Sequence, residues 1–341
     1  MAACPVSAIR VTSPAEDHGK YKDLFTPELT RISKAFAITT KNSLPLPFPT
    51  KINESNGEKD NVWMLGHHSE KSFGAIPYLV RGNHKNQTIS IMIDVPKFST
   101  SANRTIEEVL THNIDDSDKH NNDHPNQINE PDYMFLTHVD DTADHNKWHE
   151  FFPNMKRIFH SGDLGKYNWI GDESLNTIEI LLTHKSYVEE KKLTFMTLDA
   201  TLHKEIDCSD PKIDQIIEKI FEEWDTDFII IHVPGHSPGS IALLHKPRNN
   251  NGFHTLFTGD TFSFTTRNGG HMSGFPRYGN NLVTQSKTLE CLKSISSQFN
   301  RIAPGHGHPR IYHNSENDNN DLENEKKSDF DDAIKELKHY F

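Results

Sequence analysis

Seven side chains of metal-binding type stand in four short segments of this chain, each following an apolar, strand-like run. They are His138, Asp140, Asp144 and His145 in THVDDTADH, His236 in VPGHSPGS, Asp260 in LFTGD and His306 in IAPGHGHP. Neutral imidazoles and carboxylates together form the donor set that suits zinc, iron and manganese. Taken singly, each residue is ordinary. A histidine after a strand is usually bonded to backbone, and Gly259 followed by Asp260 is a common turn. Turns alone do not explain the recurrence at four strand exits, because loops at one edge of a rigid sheet are where sites are built. The pattern predicts a metal centre.

Apolar periodicity identifies the elements that must hold these segments. Residues 1–65 read as a partly ordered N-terminal extension, with one short helical pattern around Pro27 to Phe36 and then a stretch rich in Pro and Asn. AIPYLVRG and TISIMIDVP follow as apolar runs separated by turn residues, the signature of a hairpin. Ser101 is placed to cap a helix over residues 102–114, and the polar tract 115–130 reads as a solvated loop whose histidines lack apolar anchors. YMFLT is a strand, NKWHEFF a helix and RIFH a strand. TIEILL, KLTFMTL, DFIIIHV, SIALLHK, TLFT and RIA bring the count to about eight or nine strands against about four helices. In KIDQIIEKIFEEW, Ile213, Ile216, Ile217, Ile220, Phe221 and Trp224 share one helical face and are assigned to the core. A helix near Gln285 to Ser296 follows. The mixture predicts a layered α/β (α+β) domain over residues 66–313, then a polar spacer and an amphipathic helix over 314–341.

With 341 residues, 34% hydrophobic and 25% charged, the chain can bury a large core. Its net charge of -12 opposes attraction to phosphate backbones, so the expected partner is a small-molecule substrate and not nucleic acid. No apolar run reaches the ~20 residues needed to cross a bilayer, and no membrane is expected. The three cysteines, Cys4, Cys208 and Cys291, are odd in number and lack metal-type spacing, which fits a reducing compartment. The N-terminus lacks the basic and apolar regions of a secretory signal. The expected location is cytoplasmic, with a plastid-type targeting segment as the alternative.

In order along the chain, THVDDTADH, VPGHSPGSIALL, LFTGD and IAPGHGHP resemble the successive motifs of the metallo-β-lactamase superfamily, across residues 73–312. HSEKSFGAIPYLV and the His-x-Asp-Asp-x-x-Asp-His form of the first motif resemble more narrowly a plant, algal and cyanobacterial branch of uncharacterised members. The resemblance implies a four-layer αββα sandwich with a mono- or dinuclear metal centre at one edge. It implies hydrolysis of an ester, thioester, amide or phosphoester by metal-activated water. It assigns His138, Asp140 and His236 to one ion and Asp144, His145 and His306 to a second, with Asp260 bridging. Asp144 is also the implied catalytic residue, orienting the water and returning a proton to the leaving group. Two divalent ions are implied, zinc first. Iron and manganese are alternatives because the usual first motif is His-x-His-x-Asp-His. Here it is two residues longer, with the harder donor Asp140 replacing its second histidine. Asp141 competes with Asp140 for that place, and His308 with His306.

Asp94, ending the strand IMIDVP, resembles an acid that orients a ligand histidine; a strand-end turn residue is the equal alternative. Ser237 and Ser240 read as hydroxyls that hold their loop. His67, His68, Ser69, Glu70 and Lys71 read as a solvated approach loop, and His160 as a hydrogen-bonded histidine. There is no serine-nucleophile elbow and no phosphate-cradling glycine loop. Two other functions share these motifs: an iron-dependent redox protein acting on sulfur or oxygen, and a non-catalytic metal-binding module.

Overall fold

Strands that are apolar at nearly every position need a packed layer on each side, and two such sheets form the centre of the protein. The computed structural model describes residues 48–52, 61–111, 130–248, 253–265, 270–312 and 319–341. The helical pattern at Pro27 to Phe36 and nearly all of the polar tract lie outside them. The first sheet runs β1 (Thr50–Lys51), β2 (Val62–Met64), β3 (Tyr78–His84), β4 (Gln87–Ile93), β5 (Tyr133–Phe135), β6 (Lys156–His160), β7 (Ile180–Leu182) in spatial order. The second is ordered β16 (Arg310–Ile311), β15 (Arg301–Pro304), β12 (Thr255–Gly259), β11 (Ile241–His245), β10 (Phe228–His232), β8 (Lys192–Met196), β9 (His203–Asp207). A separate hairpin pairs β13 (Ser263–Thr265) with β14 (His271–Ser273).

Alternating side chains divide the core into three. Between the sheets lie Tyr78, Val80, Ile91 and Phe135 from the first and Ile230, Leu243 and Phe257 from the second. The opposite face of the first sheet packs Leu79, Met92 and Met134 against Ile106 and Val109 of α1 (Thr100–Thr111) and Trp148 of α2 (His145–Phe151). The opposite face of the second meets α3 (Ile213–Glu223), α4 (Leu282–Ser294) and α5 (Asn319–Lys338). The result is the αββα sandwich that the motifs imply. Ile217 and Ile220 of α3 are wholly buried, each stabilising the fold by ~1.5–3 kcal/mol. Phe330, Ala333 and Leu337 dock α5 on the same core.

Three local expectations change. Ser99, not Ser101, caps α1, accepting from the Ala102 amide at 3.1 Å. The segment assigned to an extension contributes Val62–Met64, buried at all three positions and paired with β3. Of TIEILL only Ile180–Leu182 is strand; Glu173–Thr177 forms a 3-10 turn. Among the described residues no helix is long and apolar enough to cross a membrane.

Candidate metal centre

β10 and β12 both run antiparallel to β11, and β12 runs parallel to β15, so these three strands end at the same edge. The loop after β5 in the other sheet joins them there, where the Thr137 carbonyl accepts from the Ile241 amide at 2.8 Å. Gly259 adopts φ 49°, and a Cβ on it would stand 2.6 Å from Thr137 Oγ1. Only glycine permits this approach of the two sheets immediately before Asp260.

The donors converge. His138 Nε2 lies 3.7 Å from Asp140 Oδ2 and 3.9 Å from Asp260 Oδ2, and His236 Nε2 lies 3.7 and 3.8 Å from the same two oxygens. Asp260 Oδ2 is 3.4 Å from His306 Nε2. Asp141, Asp260 and His306 make a second group whose donor atoms lie within 4.8 Å of one another. Asp260 is common to both. Donors ~2.0–2.2 Å from a tetrahedral ion stand ~3.3–3.6 Å apart; His138, His236 and Asp260, whose donor atoms lie within 4.8 Å of one another, form the first group, and Asp140 Oδ2 stands beside it at 3.7 Å from both imidazoles. His138 Nε2, both His236 nitrogens, both Asp141 oxygens and Asp260 Oδ1 are buried without a hydrogen-bond partner. Each such group costs ~1–3 kcal/mol when unsatisfied. A bound cation offsets that cost, and the donor chemistry fits one.

The charges point the same way. Burial, then His236, lowers the His138 imidazole to about 4, which keeps it a neutral donor. Burial would raise Asp260, but His306, His138 and His236 hold its carboxyl well below the usual range. Burial lowers His236, yet Asp140 and Asp260 outweigh it and raise this imidazole. Asp141 is pushed well up by burial and by the carboxylates of Asp260, Asp94 and Asp140. Buried carboxylates in mutual contact are what a multivalent cation neutralises.

A second set of contacts aims these donors. Asp94 Oδ1 accepts from the Thr137 amide at 2.9 Å and its Oδ2 from Thr137 Oγ1 at 3.1 Å. Because the Thr137 hydroxyl donates to Asp94, it accepts from His138 Nδ1 at 3.0 Å, leaving Nε2 of His138 to carry the lone pair. Asp94 therefore acts as the orienting acid. Asp163 ties the first motif to the His236 loop: it accepts from the Val139 amide, from Ser237 Oγ at 2.7 Å and from the Gly239 amide at 2.6 Å. Ser237 and Ser240 bond each other, holding the loop as expected. Asp163→Ala is expected to weaken metal binding ~10–100-fold, the range for losing an outer support, in competition with a chromophoric chelator.

Neither Asp144 nor His145 belongs to either donor group. Asp144 accepts from Lys147 Nζ at 2.7 Å and from the Phe98 amide at 3.2 Å. His145 Nδ1 lies 3.1 Å from Arg157 Nη1, and its Nε2 3.0 Å from Ser174 Oγ and 3.2 Å from Asp172 Oδ2. Val139–Asp141 form a 3-10 turn, and Asp141 rather than Asp144 is the acid that joins the second group. His308 lies 5.4 Å from the Phe264 ring and belongs to neither group. His67 and His68 are buried, not solvated: His67 Nε2 lies 3.0 Å from Thr105 Oγ1 and His68 Nδ1 2.6 Å from the Ala75 carbonyl. Burial lowers His68 to about 4, with His67 and His306 adding to the effect. His160 stacks on His232 at 4.3 Å and bonds the His184 carbonyl. Sequence reasoning passed over Asp163, whose Ser-Gly-Asp context reads as a plain turn, and Trp169, which looks like any loop aromatic.

No family model and no curated protein matches the chain. Similar solved structures include the DIM-1 metallo-beta-lactamase, 12% identical, with 81% of this chain and 95% of that one covered at a TM-score of 0.45. A metallo-beta-lactamase from Erythrobacter litoralis is 10% identical over 82% of this chain and 88% of its own, TM-score 0.43. One from Hirschia baltica is 13% identical over 79% and 94%, TM-score 0.42.

Proposed function

We propose that the protein is a metallo-hydrolase of the metallo-β-lactamase type, acting on an ester, thioester, amide or phosphoester of a small molecule. Two divalent cations, zinc in the first instance, are assigned to it: one held by His138, Asp140, His236 and Asp260, the other by Asp141, Asp260 and His306. The supporting observation is the set of buried donor atoms on three loops that have no hydrogen-bond partner within the protein, with His306 on a fourth loop completing the second group. Cations held by these residues would supply Lewis-acid polarisation of a substrate oxygen and a lowered pKa for water. The protein supplies the rest. Asp260 joins the two groups, and Asp94 through Thr137 fixes the His138 tautomer. Asp141 replaces Asp144 as the acid facing the cluster: one of its oxygens would hold the second ion, and the other would be left to hold and return a proton.

One observation supports a second reading. The first group has two imidazoles and two carboxylates, a harder donor set than one rich in histidine, and this favours iron or manganese. An iron-dependent redox protein would use the same residues. Elemental analysis of the untreated protein followed by a panel of ester, thioester, lactam and phosphodiester substrates separates the two. The expected result is two ions per chain, with turnover lost on chelation and restored by metal. Stoichiometric iron with oxygen uptake and no hydrolysis selects the redox reading, and less than one ion per folded chain at saturating metal overturns both.

A further inference from the structure

The indole of Trp169 donates its Nε1–H to Asp140 Oδ1 at 2.5 Å, while the other oxygen of that carboxylate, Oδ2, is the one 3.7 Å from His138 and from His236. We propose that Trp169 is a positioning residue of the metal centre: by occupying Oδ1 it restricts Asp140 to one donor atom and directs Oδ2 at the two imidazoles. This inference rests on the metal assignment above.

A carboxylate can bind an ion through one oxygen or both, and a free second oxygen raises the coordination number whenever space permits. Here the space exists, because the Asp140 side chain keeps 16% of its exposure. The indole N–H is a donor with no acceptor capacity, so it blocks one oxygen without competing for the ion.

The turn carrying Trp169 is built to hold this contact. Asn168 Nδ2 donates to the Asp172 carbonyl at 2.8 Å, and Asn168 Oδ1 and its carbonyl accept from the Asp172 and Gly171 amides. Asp172 then accepts from Ser174, and both Asp172 and Ser174 contact His145 Nε2. His145, absent from the cluster, thus anchors the segment that presents Trp169. Arg157, buried and paired with Glu179 at 2.8 Å, supports the far side of the His145 ring. A histidine assigned to the ion by its motif acts at one remove, through an indole.

The test is a cobalt(II) titration of the metal-free full-length chain and its Trp169→Phe variant, read by visible absorption and by chelator competition. Phenylalanine keeps the ring and removes the N–H. The variant is expected to bind as many ions as the wild type, with affinity at the first group ~10–100-fold lower. Its d–d bands should weaken as Oδ1 joins the coordination sphere. Wild-type spectra and affinity in Trp169→Phe overturn the proposal. Failure of the wild type itself to bind cobalt removes the metal assignment and this inference with it, an outcome distinct from an unchanged variant.

Discussion

Asp260→Ala is expected to leave the protein without metal at either group and without measurable hydrolysis. The carboxylate is common to both donor sets: its Oδ2 lies 3.4–3.9 Å from the Nε2 atoms of His306, His236 and His138, and Asp141 completes the second group with it. Removing an outer support costs ~10–100-fold in affinity, so losing a shared donor should exceed the upper end of that range for both ions. Collapse of the fold is not the expected cause. Asp260 faces the buried carboxylates of Asp141 and Asp94 and makes each of them costlier to ionise, so its removal relieves a repulsion. The metal-free variant should therefore keep a native circular dichroism spectrum, and should melt somewhat below the metal-free wild type because the ion pairs of Asp260 with the three imidazoles are lost. Full metal occupancy in Asp260→Ala, measured by elemental analysis on protein with a native circular dichroism spectrum, refutes the bridging role.

Most of the scaffold was legible because it depends on short-range patterns. The runs that form β10 and β11 are apolar at almost every position, as a strand with layers on both sides requires, and β12 is buried throughout its length. Short pieces such as Thr50–Lys51, Val62–Met64 and Arg310–Ile311 carry too few residues to show a period, and tertiary pairing alone makes them strands. His236, Asp260 and His306 were legible for a related reason. Each follows its strand by at most four residues, so the strand direction decides where the residue arrives. The first motif differs. His138 arrives with the strand, but after it a 3-10 turn over Val139–Asp141 and a left-handed Asp144 at φ 66° decide which acid points inward. Spacing within a motif does not encode that choice. Nor does it show that Trp169, 29 positions from Asp140, closes on the same carboxylate.

The contrast between Asp141→Asn and His145→Ala tests that turn. Asp141→Asn keeps the shape and removes the charge, and is expected to release the second ion, with affinity there falling more than ~100-fold. In the metal-free state the same change should stabilise the protein. The buried Asp141 carboxyl has its folded pKa raised above the ordinary 3.8. A raised acid costs stability at every pH above its unfolded value, and the cost disappears below it, where both states are protonated. Relieving a buried unsatisfied carboxylate is worth ~1–3 kcal/mol, or several degrees in melting temperature near pH 7, with the gain vanishing toward pH 3.8. His145→Ala should behave in the opposite way. It removes a partner of buried Arg157 and of the Asp172–Ser174 turn, so it lowers the melting temperature while the chain still takes up two ions at saturating metal. Differential scanning calorimetry of the metal-free proteins, paired with metal stoichiometry, reads both effects. An Asp141→Asn protein with both ions, beside a His145→Ala protein that has lost one, would return the second site to the acid and histidine that the motif alone selects.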